Sequence, residues 1–86
     1  MNKLLQYRKK IDKINSGIFK LLAERMKVVG KIGEYKKKKG MKVLDKKREK
    51  EILQKLEKKA GKYKLDKKFI NDIFKLIMKG ARRKQK

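Results

Sequence analysis

In the stretch KLLAERMKVVGKIGEYK, residues 20–36, a guanidinium stands where an apolar side chain belongs. Steps of three and four residues from Leu4 give Tyr7, Ile11, Ile14, Ile18, Leu21, position 25, Val28, Ile32 and Tyr35, the spacing of a helix seam. Each of these is apolar or aromatic except Arg25. A guanidinium withdrawn from water without an anion is costly, so the position calls for a partner. Arg25 either snorkels to water along its own stem, pairs with a structural carboxylate, or meets an anionic ligand.

Two further cations flank the seam. With Leu4 as position a of a heptad, Arg8 and Lys36 fall at e positions. Arg25 and Lys36 are about three turns apart, roughly 16 Å of rise, so their long side chains can converge on one small anion. Arg8 lies ~25 Å from Arg25 along the axis, too far to reach that anion from the same chain. It is either unrelated surface charge or enters the site from a twofold-related partner helix. A second constellation is DKKREKEIL, residues 45–53, in which Asp45, Arg48, Glu49 and Ile52 share one helix face. By spacing alone it reads as a capped, salt-bridged amphipathic helix. Gln85, a neutral donor next to the last residue, carries no meaning by itself.

The elements that must hold these residues are all helical. The chain has no proline and no period-two alternation. The first helix is predicted from about Lys3 to Lys39, with Gly40 as its stop, a rod of roughly 55 Å. That is longer than an 86-residue chain can cover by itself, so the seam predicts a partner subunit. Gly17, Gly30 and Gly33 lie inside it at a cost of about 1 kcal/mol each, which close helix contact would explain. After the loop GMKVL, Asp45 is the predicted N-cap of a second helix bearing Ile52, Leu53 and Leu56. AGKYKL, residues 60–65, is expected to interrupt the chain. Asp66 then caps a third helix with Phe69, Ile70, Ile73, Phe74, Leu76, Ile77 and Met78.

Composition narrows the chemistry. There is no cysteine and no histidine, so disulfides, thiolate metal sites and imidazole proton shuttles are absent. No apolar run is long enough to span a membrane and the first residues lack a signal-peptide core, which predicts a cytoplasmic protein. The length predicts one domain over 1–86 with no appended regulatory or second catalytic domain. A formal net charge of +22 with 47% charged residues draws in anions of every kind: nucleic acid, acidic membrane or a small polyanionic substrate.

Taken together, YRKKID, LLAERMKVVGKIGEYK, DKKREKEIL and FINDIFKLIMKGARRKQ resemble the all-helical class of chorismate mutase over nearly the whole chain. The resemblance implies an intertwined helical homodimer of three-helix chains, one helix long and two shorter. Each active site would borrow Arg8 from the partner subunit and draw Arg25, Lys36 and Arg48 from its own chain. Asp45, through its backbone, and Glu49 match contacts to the substrate hydroxyl. Gln85 matches the donor to the ether oxygen, and Ile32 and Met78 match apolar walls. The implied reaction is the pericyclic rearrangement of chorismate to prephenate in phenylalanine and tyrosine biosynthesis, with Lys36, Gln85, Arg25 and Glu49 as catalytic groups. It needs no cofactor and no metal, because a unimolecular rearrangement asks only for a held conformation and stabilised charge. No membrane and no specific nucleic acid are expected as partners.

The chain also departs from that pattern. Ala81 stands where many relatives carry a serine bonded to a substrate carboxylate, so that contact is missing or replaced. Arg82 takes a position that is usually apolar, and MKVLD has lysine where the loop often has proline. Two other readings follow from the residues: a basic helical protein binding nucleic acid, motivated by the charge, and a mutase-like scaffold without activity, motivated by Ala81 and Arg82. Against the first, the few aromatics fall mostly on apolar faces and form no stacking platform. Arg25-dependent loss of the ultraviolet signal of chorismate separates the three.

Overall fold

The protein is described here by a computed structural model over residues 2–85. Helix α1 spans Lys3–Lys38, α2 Lys46–Lys62 and α3 Lys67–Gln85, with no strand among the described residues. Each start has a side-chain cap. Asn2 accepts from the Leu4 N–H at 2.9 Å, Asp45 from Arg48 at 3.0 Å and Asp66 from Phe69 at 3.0 Å. These caps satisfy amide groups that the first helical turn leaves without partners.

The two predicted stops behave differently. At the end of α1, Gly40 adopts φ +65°, and the Met41 N–H returns to the Lys36 carbonyl at 2.8 Å, a left-handed close for which glycine is suited. The expected interruption over residues 60–65 occupies only the second half of that stretch, from Tyr63 onward. Ala60, Gly61 and Lys62 are helical, and Lys64 closes α2 at φ +56° with Leu65 N–H on the Ala60 carbonyl at 2.9 Å. The same turn geometry is therefore made here by a lysine, which gave no glycine signal at the true boundary.

Helix α3 is the shared neighbour. It runs antiparallel to α2, since Asn71 near its start bonds Glu57 at 3.1 Å while Arg82 near its end reaches Glu49. Its last residues press on α1: a Cβ at Gly33 would sit 2.9 Å from the Gln85 Cα, so glycine permits this approach. The buried apolar side chains, Val29, Ala60, Met78 and Ala81, lie along these contacts.

The N-terminal part of α1 has no cover among the described residues. Leu4, Tyr7, Ile11, Ile14, Ile18 and Leu21 are 51–65% exposed along one stripe. The radius of gyration is 16.4 Å, against about 12 Å for a self-contained domain of this length. No helix among the described residues is long and apolar enough to cross a membrane.

Candidate active site

Beside the α1–α3 contact lies a cavity of about 340 Å³, at the lower end of the roughly 300–1,000 Å³ range of small-molecule sites. All three helices and the loop before α2 contribute to its wall. From α1 come Arg25, Ile32 and Lys36, with Val28 and Val29 between them. Helix α2 presents Arg48, Glu49 and Ile52 at three- and four-residue spacing, so that one face of a single turn and a half carries both charges. Helix α3 presents Met78, Ala81, Arg82 and Gln85, again one face.

The in-chain residues predicted for the site, namely Arg25, Ile32, Lys36, Asp45, Arg48, Glu49, Met78, Ala81 and Gln85, therefore gather around one cavity although they span sixty positions of the sequence. Arg8 does not. It is exposed on α1, ~25 Å of rise from Arg25, and outside the cavity lining.

The polar groups are held to different degrees. The Lys36 ammonium donates to the Val43 carbonyl at 2.9 Å, tying the loop to α1 and leaving two of its three donors for the cavity. One oxygen of the Asp45 carboxylate, Oδ1, accepts from the Arg48 N–H at 3.0 Å, which anchors that side chain at the start of α2. Glu49 is gripped by Arg82, whose Nη1 lies 2.8 and 2.6 Å from the two carboxylate oxygens. Arg48 is exposed at the rim. Two buried polar atoms of the cavity have no hydrogen-bond partner among the described residues, Arg25 Nη1 and Gln85 Oε1. A buried donor of a permanent cation left unpaired is expensive unless a ligand completes it. Of the three readings of Arg25, the structural carboxylate is thus set aside at this nitrogen.

Sequence reasoning missed Val28, Val29 and Val43 as walls and the partnership of Arg82 with Glu49. Val28 is itself a seam residue and Val29 is its neighbour on α1, a signal that was available, whereas Val43 lies in the loop before α2, where no helical period applies. The ion pair joins positions 33 apart and leaves no periodic trace. Among the described residues, no group of three or more metal-binding side chains gathers that would serve as a cage for an ion.

This arrangement of fixed cations and neutral donors around a small, partly apolar chamber suits an organic anion that must be held in one conformation. The same residues carry a family likeness. Over 85 residues, 99% of this chain, the sequence is 40% identical to a bifunctional chorismate mutase/prephenate dehydratase of Buchnera aphidicola from Acyrthosiphon pisum, covering 22% of that protein. It is 33% identical over 86 residues to a chorismate mutase of Methanocaldococcus jannaschii, covering 100% of this chain and 87% of that one. The chain spans about a fifth of the length of the Buchnera bifunctional relatives it matches. A solved structure, of a conserved hypothetical protein from Pyrococcus furiosus, superposes with a TM-score of 0.79 at 31% identity, covering 100% of this chain and 99% of that one. Residues 7–86 match the family described as chorismate mutase type II, and the chain belongs to that family.

Proposed function

We propose that the chain catalyses the rearrangement of chorismate to prephenate, as a homodimer whose two cavities each receive Arg8 from the partner subunit. The observation that carries this reading is the buried, unpartnered Arg25 Nη1 in a cavity that also holds Lys36 and Arg48. Chorismate brings two carboxylates, and this cavity offers cations at separated points.

The reaction breaks one C–O bond and forms one C–C bond within a single molecule, so no proton, electron or group leaves it. What the protein supplies is a compact conformer and charge where the ether oxygen turns negative. Arg25 clamps one carboxylate with its planar fork, the partner's Arg8 the other, and Arg48 adds charge at the rim. The free donors of Lys36 and the side-chain amide of Gln85 meet the ether oxygen. Glu49 and the Asp45 backbone receive the substrate hydroxyl, while Ile32 and Met78 press on the ring. Nothing in this scheme draws on a metal or cofactor.

The dimer rests on the uncovered stripe from Leu4 to Leu21. A chain with so few buried side chains gains little stability alone, and a second long helix laid along the stripe would cover it and carry Arg8 toward the other cavity. The cytoplasm is the compartment this reading implies. The strong positive charge serves substrate capture, with no specific nucleic-acid or membrane partner.

Chorismate consumption, followed by its ultraviolet absorbance, tests the function. The wild type should convert it, and Arg25→Ala should lower kcat/KM on the order of 100-fold or more by removing a buried partner of a charged group. The same variant should unfold no more easily than the wild type, because it removes an unsatisfied buried donor from the empty site. A wild type that leaves chorismate intact, or an Arg25→Ala that retains its rate, refutes the proposal.

A further inference from the structure

Arg82 lines the same cavity as Arg25, yet the two guanidinium groups are placed for different work. Arg25 Nη1 faces no partner, whereas Arg82 Nη1 is spent on both oxygens of Glu49. The side chains of Arg82 and Glu49 are 31% and 25% exposed, so the pair is partly shielded from water. Among the described residues Arg82 is the only side chain donating to Glu49. A carboxylate has about four acceptor sites, and Arg82 occupies two, which leaves Glu49 able to accept one more hydrogen bond from inside the cavity.

We propose that Arg82 is a positioning residue: it fixes the Glu49 carboxylate as the acceptor of the substrate hydroxyl and offsets its charge, so that a dianion can enter beside it. The proposal rests on the mutase reading of the cavity. Without Arg82, Glu49 would be a free carboxylate on a mobile stem, turned toward an incoming substrate of the same sign. Both losses weaken substrate and transition state alike, so they act on KM more than on kcat.

The test is a double-mutant cycle with Arg82→Met, which keeps the length and apolar stem of the side chain, and Glu49→Gln. In the otherwise wild-type chain, Arg82→Met should raise KM on the order of 10- to 100-fold with kcat within about threefold. In the Glu49→Gln background the same substitution should change KM by less than about twofold, because its target is gone. Arg82→Lys, which keeps the charge, should recover part of the loss, and it carries the same comparison should Arg82→Met fail to fold. Prephenate binding by calorimetry gives the same cycle where turnover is too slow to follow. An equal KM effect in both backgrounds, or none in either, overturns the role assigned to Arg82. A wild type that does not convert chorismate refutes the reading of the cavity instead, and that result is in hand before any variant is compared.

Discussion

Adding one methyl group at Gly33 should separate catalysis from stability. An alanine Cβ there would lie 2.9 Å from the Cα of Gln85 and 3.2 Å from its Cβ and its carbonyl oxygen. Carbon atoms settle at about 3.5–4.0 Å, so the end of α3 must retreat by roughly 0.6–1.1 Å. The obstacle is backbone, which cannot swing aside as a side-chain tip would. Overpacking of this kind costs about 1–3 kcal/mol, and replacing a helical glycine returns about 0.5–1 kcal/mol. The net loss of stability should therefore fall between about zero and 2.5 kcal/mol. Activity should suffer more. Gln85 is carried on the displaced turn, and a misplacement near 1 Å can cost ~100-fold in rate. Urea unfolding and chorismate turnover on the same preparation read both quantities. Gly61→Ala, with nothing within 4 Å of the added Cβ, is the control and should gain about 0.5–1 kcal/mol with full activity. If Gly33→Ala matches the wild type in kcat, contact between α1 and α3 does not position Gln85 for the reaction.

Lys64→Gly should stabilise the fold by about 1 kcal/mol in thermal or urea unfolding, because the turn closing α2 holds Lys64 at φ +56°, where a side chain is strained. Ala81→Ser places a hydroxyl on a buried position of the cavity wall. If it reaches a substrate carboxylate, KM should fall by a factor equivalent to at most ~1.5–3 kcal/mol, with kcat little changed; a rise in KM would mean that the position does not face that group. Gln85→Glu should make turnover depend on acid, since a glutamate donates only when protonated, and the rate should drop as pH rises through the carboxyl titration near about 4.3 or above. A pH profile identical to the wild type would remove Gln85 from the ether oxygen.

What could be read from the chain was whatever repeats at helical spacing. The seam from Leu4 to Tyr35, the interruption at Arg25 and the caps Asp45 and Asp66 all follow from local rules, and the structure places them as those rules require. The break after α2 falls inside the expected stretch 60–65, but its exact turn was not legible because Lys64 takes a conformation that usually advertises itself as glycine. Gly33 was visible as an anomaly within a helix, but the reason for it, the backbone of Gln85, is 52 positions away. Arg82 read as a departure from an apolar position, and its carboxylate partner became visible only once α2 and α3 were laid antiparallel. Local periodicity thus supplied the faces, and tertiary contact supplied the pairings between them.

The sharing of one site between two chains is tested most directly by mixing two inactive variants. Arg8→Ala and Arg25→Ala homodimers should each be nearly inactive toward chorismate. Unfolded and refolded together, about half of the dimers should be mixed, and in each mixed dimer one site receives intact Arg25 from one chain and intact Arg8 from the other, so about a quarter of all sites should be restored. Chorismate consumption by the mixture should then approach a quarter of the wild-type rate, while each variant refolded alone stays near zero. A mixture that remains as inactive as its parents, with subunit exchange demonstrated, would contradict a mutase site built from two chains.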